Sequence, residues 1–267
     1  MILLASSPAS VPSFIKYRDT ARGLDQGGPS RRPLPFDRLP IYYERIGARG
    51  LSRQGTAFIV DSQGAWGTAS HVTDGCAVIR LLVNERLMPP IAASVRAIGG
   101  DMSLILGGLP AAPALEFAKQ IPRVGSIGYQ MGFPMGSPGL IGTRLLGKTS
   151  AVRHAGRTDA VLAWVEDWRT KESVDELDGL SGAPVMNDQA QVVGIVSMAS
   201  ERRGRILTAL PAAFRRRLSV EGLGADARYS SPIRSRRDAV AQFQFLLNHG
   251  LIRQLYCDIL PVQNQRK

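Results

Sequence analysis

The chain has 267 residues, 44% of them hydrophobic, which is enough for one or two domains with a sizeable core, and its 28 glycines and 17 prolines suit a turn-rich β protein better than a helical bundle. The formal net charge of +11 comes almost wholly from arginine, since lysine stands only at Lys16, Lys119, Lys148, Lys171 and Lys267; the plain reading is a solvated basic surface, the sharper one a face for nucleic acid or anionic lipid. No run of about 18 apolar residues occurs, which excludes a membrane-crossing helix.

Residues 1–40 are rich in Ser, Pro, Gly and Arg and read as an extended arm or linker, so residues 1–45 are set apart from the strand-rich remainder of the chain. The opening Met1–Ala5 is apolar but too short for a signal core and has no basic start. As written the chain reads as cytoplasmic, and as periplasmic if the start codon is misplaced. Residues 55–60 form the first strand, Asp61–Gly64 a hairpin turn and Ala65–Ala69 the returning strand, which runs into Ser70 and His71. Ala77–Val83 and Ala92–Ile98 are the next strands. Gly99 and Gly100 then make a turn that presents Asp101 ahead of a strand from Met102 to Leu106. Cys76 and Cys257 lie far apart in sequence, and the expectation is that they form no disulfide framework and that packing alone holds the fold.

Beyond the connector at 107–113, strands are expected at Ile121–Tyr129, Leu145–Val152, Ala160–Val165, Gln191–Ser197 and Arg205–Pro211, with a loop at Met131–Gly139, a polar loop at Trp168–Glu176 and a closing helix at Ala212–Leu218. Between them lies Gly179-Leu180-Ser181-Gly182-Ala183-Pro184. Glycine on either side of a serine lets the backbone turn tightly, leaves the hydroxyl uncrowded and lets nearby N–H groups converge on one point, as an oxyanion requires. A serine hydroxyl is a poor nucleophile at neutral pH and needs a base beside it. The rest of the chain has to supply that base, a group to orient it and a β scaffold.

These segments resemble the trypsin-like serine peptidases. The serine motif is similar to their Gly-Asp-Ser-Gly-Gly-Pro, Thr68-Ala69-Ser70-His71 to their Thr-Ala-Ala-His, and Asp101-Met102-Ser103-Leu104-Ile105 to their Asp-Ile-Ala-Leu-Leu. The chain order His, Asp, Ser is that of the chymotrypsin fold. The short spacings, thirty residues from His71 to Asp101 and eighty from there to Ser181, look like the compact bacterial HtrA (Deg) type without a PDZ domain. Gly194-Ile195-Val196-Ser197 resembles the strand that lies beside substrate in that family, and the resemblance covers about residues 46–220. It implies an all-β fold of two antiparallel six-stranded barrels, at about 46–115 and 120–210, and a serine endopeptidase acting on polypeptides without metal or cofactor. In that scheme His71 takes the Ser181 proton, Asp101 holds the imidazole, the N–H groups of Gly179 and Ser181 form the oxyanion hole, and Ser197 hydrogen-bonds Asp101. Leu180 departs from the family: it replaces the aspartate that in zymogen-forming trypsins pairs with a new N-terminus, so activation by that route is not expected.

The resemblance also points to a substrate pocket lined by Asp175, six residues before the serine, and by Ser197, Met198 and Ala199. Asp175 would favour Arg or Lys side chains. If residues 175–178 are only a solvated acidic loop, small aliphatic residues such as Val, Ala or Leu are the default. Residues 221–267 form a linker and a helical extension, with Val240, Phe243, Leu246 and Leu247 at helical spacing, Ser235 as the cap and Gly250 as the stop. That helix is either docked on the barrels or offered to a partner protein. Two other classes stay open: a catalytically silent trypsin-like fold used for binding, and a nucleic-acid-binding module using Arg202, Arg203, Arg205 and Arg215–Arg217, which no accompanying RNA motif supports. An α/β-hydrolase built on Ser181 and His249 would need parallel βαβ units, and the sequence shows none.

Overall fold

The computed structural model describes residues 42–43, 52–83, 86–91, 94–153, 157–170, 177–200, 204–224, 228–229 and 231–259. In chain order the strands are β1 (Tyr42–Tyr43), β2 (Ser52–Asp61), β3 (Ala65–Thr68), β4 (Val78–Val83), β5 (Arg86–Leu87), β6 (Ser94–Ala97), β7 (Ser103–Leu106), β8 (Ala114–Leu115), β9 (Ile127–Gly132), β10 (Gly139–Val152), β11 (Thr158–Arg169), β12 (Pro184–Met186), β13 (Val192–Ser200), β14 (Arg205–Ala209), β15 (Arg228–Tyr229) and β16 (Ile252–Asp258). The helices are α1 (Ser70–Thr73), α2 (Ala212–Val220) and α3 (Arg236–Asn248).

The second half closes as expected. β9, β10, β11, β14, β13 and β12 pair antiparallel in that order, and β12 pairs back to β9, giving a six-stranded barrel. Its strands outrun the sequence reading at β10 and β11, which are 14 and 12 residues long. Trp168, assigned to a loop from sequence, ends β11 instead; its buried ring lies 6.4 Å from Tyr129 and carries the Arg236 guanidinium 5.3 Å above it. The strand expected from Ile121 starts only at Ile127, because Ser126 N–H closes a turn on the Arg123 carbonyl and Gly125 there has a φ of +87°. Leu162, Trp164, Val185, Val193, Val196 and Ile206 fill the barrel together with Leu180 from the serine loop.

The first half is not the closed six-stranded barrel expected: among the described residues its end strands, β5 and β6, do not pair with each other. Its sheet has seven strands in the order β5-β4-β16-β2-β3-β7-β6. Six come from residues 52–106. The seventh, β16, arrives from the far end of the chain and pairs antiparallel with β2 on one side and β4 on the other. β16 therefore lies inside the sheet, where both rows of its backbone groups are satisfied. Ile252, Gln254, Leu255 and Cys257 of β16 are buried, and Gln254 Nε2 donates to Gln54 Oε1 at 3.1 Å.

That pairing also overturns the expectation for the cysteines. Cys257 and Cys76 form a disulfide with Cα atoms 5.4 Å apart, across 181 residues of sequence. The sequence reading kept them apart because it placed no strand after the α3 helix. α3 itself falls where the helical spacing put it. Ser235 Oγ accepts from Asp238 N–H, Gly250 follows the last turn at a φ of +63°, and Ala239, Phe243 and Leu246 are buried, so the helix is docked. Phe214 of α2 packs 5.1 Å from Phe117 and 6.5 Å from Phe58, joining the closing helix to the first sheet.

Candidate active site

His71 sits in α1, a single turn that caps the end of β3. Asp101 sits just before β7. Because β3 and β7 pair antiparallel with Thr68 opposite Ser103, the ends of the two strands bring His71 and Asp101 together. Ser70 N–H donates to the Asp101 carbonyl at 3.2 Å, extending the ladder by one step. Asp101 has a φ of +63°, a left-handed conformation that Asp tolerates better than most side chains, and it follows Gly99 and Gly100, both also at positive φ. This kink turns the carboxylate inward.

The buried carboxylate is heavily hydrogen-bonded. Oδ2 accepts from His71 Nδ1 at 2.8 Å and from Ser197 Oγ at 2.5 Å, and the Arg153 Nη1 lies 3.2 Å away. Oδ1 accepts from Ser70 Oγ at 2.9 Å and from His71 N–H at 3.0 Å. Burial alone pushes the Asp101 carboxyl up; the charge and hydrogen bond of His71, then the Arg153 guanidinium and the Ser197 hydroxyl, outweigh it and hold the group well below the usual carboxylate range. An ionised acceptor on Nδ1 fixes the imidazole tautomer with Nε2 free to act as base.

Ser181 lies on the opposite side, in the tight turn between Leu180 and β12. The turn is clamped to the first sheet. Thr56 N–H donates to the Ser181 carbonyl at 2.8 Å, and Thr56 Oγ1 donates to the Gly179 carbonyl at 2.8 Å while accepting from Phe133 N–H at 3.1 Å. Gly182, at a φ of +88°, packs so closely on β2 and β3 that a Cβ there would stand 2.2 Å from the Thr56 carbonyl oxygen and 2.9 Å from Ala69 N. Only glycine fits, and its fit places Ser181 against the strand end that carries His71. Ser181 Oγ and His71 share no hydrogen bond among the described residues. Catalytic contacts of this kind often form only with substrate bound.

The loop ahead of Ser181 has a defined orientation. The Asp178 carbonyl accepts from Met135 N–H at 2.6 Å. In a trans peptide the N–H points opposite to the C=O, so the Gly179 N–H faces away from Met135. Among the described residues neither the Gly179 nor the Ser181 N–H donates to a protein acceptor. Leu180, where trypsins carry an aspartate, is buried in the barrel core and anchors the loop by packing.

The expected site residues thus divide. His71, Asp101 and Ser197 converge, and Gly179 and Ser181 lie on the loop clamped beside them. Met198 is half-buried and Ala199 exposed on β13. Asp175 lies outside the described residues, as do His154, Arg202 and Arg203. His249 stands at the end of α3, its ring 3.9 Å from that of Phe245. No group of three or more His, Cys, Asp or Glu among the described residues is arranged to hold a metal ion. Sequence reasoning missed Thr56, Met135 and Arg153. Thr56 follows a glycine at the start of a recognised strand, which was a usable signal. Arg153 is one of many arginines and carried none.

Two antiparallel β units, with a His–Asp pair on one and a glycine-flanked serine on the other, match a chymotrypsin-like fold. Among solved structures, the active form of the Rv3671c protease from M. tuberculosis is similar over 66% of this chain and 75% of that one, with 18% identity and a TM-score of 0.52. An inactive form of Rv3671c matches at a TM-score of 0.50 and 19% identity, over 65% of this chain and 88% of that one. The HtrA-type protease AlgW with a decapeptide matches at a TM-score of 0.48 and 17% identity, over 64% of this chain and 52% of that one. No protein-family model and no curated protein matches the chain. At these identities the likeness to the two Rv3671c structures establishes the fold alone.

Proposed function

We propose that this protein is a serine endopeptidase with His71, Asp101 and Ser181 as its triad. The observation that carries the reading is the buried Asp101 carboxylate holding His71 Nδ1 at 2.8 Å, in a site that also presents Ser181 and two undonated backbone N–H groups. His71 Nε2 takes the Ser181 proton as Oγ attacks the peptide carbonyl. The oxyanion that forms is received by the N–H groups of Gly179 and Ser181. His71 then passes the proton to the leaving amine as the C–N bond breaks, leaving an acyl-enzyme. Water, deprotonated by the same imidazole, releases the acid and restores Ser181.

The substrate is a polypeptide. Its preference is tested with a peptide library read by mass spectrometry: a basic preference lost in Asp175→Ala assigns Asp175 to the pocket, and cleavage after Val, Ala or Leu alone removes it.

The mechanism is tested by labelling with a fluorophosphonate probe. The purified protein is expected to label at Ser181, and Ser181→Ala and His71→Ala should lower labelling or turnover by roughly 10⁴–10⁶-fold with unchanged thermal stability. Wild-type turnover in Ser181→Ala overturns the assignment. The Cys76–Cys257 disulfide supports an oxidising compartment such as the periplasm. Alkylation of free thiols in protein taken directly from cells checks this, and two alkylated cysteines would refute it.

A further inference from the structure

Arg153 directly follows β10, and it is almost fully buried. A guanidinium is always charged and has no acceptor atom, so every contact it makes is a donation. Its Nε donates to Asp159 Oδ2 of β11 at 2.7 Å, Nη1 lies 3.2 Å from Asp101 Oδ2, and Nη2 donates to Ser197 Oγ. The last contact has a directional consequence. Ser197 Oγ accepts from Arg153, so its own proton is turned to Asp101 Oδ2, where it donates. Arg153 therefore sets the Ser197 rotor and touches the same carboxylate oxygen that His71 uses.

We infer that Arg153 is a positioning residue for the triad, which orients Ser197 and Asp101 and makes His71 share its carboxylate with a second, permanent cation. This rests on the reading of His71, Asp101 and Ser181 as a triad. In the usual three-residue arrangement the aspartate charge serves the imidazolium alone. Here the charges run His71, Asp101, Arg153, Asp159, with Arg157 3.6 Å beyond Asp159. The other groups around the pair are Ser70 on α1, Ser197 on β13, and Arg53 on β2, whose guanidinium donates to the His71 and Asp74 carbonyls. Among the described residues Arg153 is the arginine that reaches the carboxylate itself, and Asp159 pairs with it in turn. Arg153 sets a positive charge against the carboxylate that holds the imidazole, and Asp159 sets a negative charge against Arg153.

The two residues therefore have opposite signatures. In Arg153→Gln a positive charge is removed beside Asp101, imidazolium forms more readily, and the acid limb of the fluorophosphonate labelling rate at Ser181 moves to higher pH by about half a unit or more. In Asp159→Asn the partner of Arg153 is lost and the limb moves to lower pH. Arg153→Lys keeps the charge and is expected to hold the limb close to its original position. A merely structural role would slow labelling in all three without moving the limb. Limbs unmoved in both Arg153→Gln and Asp159→Asn, or moved in the same direction, overturn the inference.

The low-field proton signal of the His71 Nδ1–H, assigned by its loss in His71→Ala, gives the same titration without catalysis. If Arg153→Gln does not fold, Asp159→Asn alone decides. If the protein never labels at Ser181, the peptidase reading falls, while opposite movements of the proton-signal titration in the two variants still sustain the role of Arg153 and an unmoved titration still overturns it.

Discussion

The two β units that flank the site are built on different terms. The second barrel is local: all six of its strands lie between residues 127 and 209, and β9 closes it by pairing with both β10 and β12. The first sheet is not. Its strands from residues 52–106 hold β2 and β4 apart, and β16 fills the gap, stapled by a disulfide that spans 181 residues. The half that supplies Ser181 completes itself within one stretch of chain, and the half that supplies His71 and Asp101 depends on residues some 150 positions further on. The serine loop is also held differently, by burial of Leu180 and by the hydrogen bonds of Thr56. Packing and neutral hydrogen bonds, with no ion pair at Leu180, anchor that loop.

The sharpest way to break this asymmetry is to remove β16. A chain ending at Gly250 is expected to lose fluorophosphonate labelling entirely and the protection of β2 and β4 amides in hydrogen exchange, while amides of β10 and β11 keep more of theirs. Equal loss in both halves would show that the two units fold as one. The disulfide comes next. Cys76→Ser with Cys257→Ser should cost about 2–5 kcal/mol in urea unfolding, and reductant should bring the unaltered protein to the same midpoint. A double variant as stable as the oxidised parent would remove the staple from the account.

Smaller again is Leu180→Ala, which leaves a void in the second barrel and should cost about 2–4 kcal/mol. It should also slow labelling more than an equally destabilising change far from the loop, and equal slowing in both would separate Leu180 from the oxyanion hole. The smallest effect is a pH dependence. Asp101 is held below the usual carboxylate range, so its ionised form contributes stability that is full above the ordinary value of about 4 and is lost as pH falls through the lower folded value. The stability deficit of Asp101→Asn should therefore be constant near neutrality and narrow only below about pH 4. A deficit that narrows already between pH 7 and 5 would contradict it.

The features written locally in the chain were also the legible ones, whichever half they belong to. The hairpin of β2 and β3, the turn at Gly99 and Gly100, the serine between two glycines and the Ser235 cap of α3 are each written in a few adjacent residues. β16 is not. Its buried set includes Gln254, whose polar side chain breaks the apolar pattern and makes sense only opposite Gln54, 200 residues away. Without β16 the pairing of Cys76 with Cys257 had no reason to be drawn. Arg153 was hidden for a similar cause, since a buried arginine differs from a solvated one only in what the fold packs against it. The motifs legible in the sequence mark His71, Asp101 and Ser181 and leave unmarked Arg153 and Thr56, which contact them from behind.

The place of β16 has a consequence for how the molecule comes into being. Synthesis runs from the N-terminus, so the strands that carry His71 and Asp101 leave the ribosome long before the strand that must lie between β2 and β4. The second barrel, finished at residue 209, can close while the earlier sheet still waits with two unpaired strand edges. Not until residues 252–258 emerge can the nascent chain seal that gap. A nascent chain thus has its serine loop before it has the completed sheet that carries His71 and Asp101.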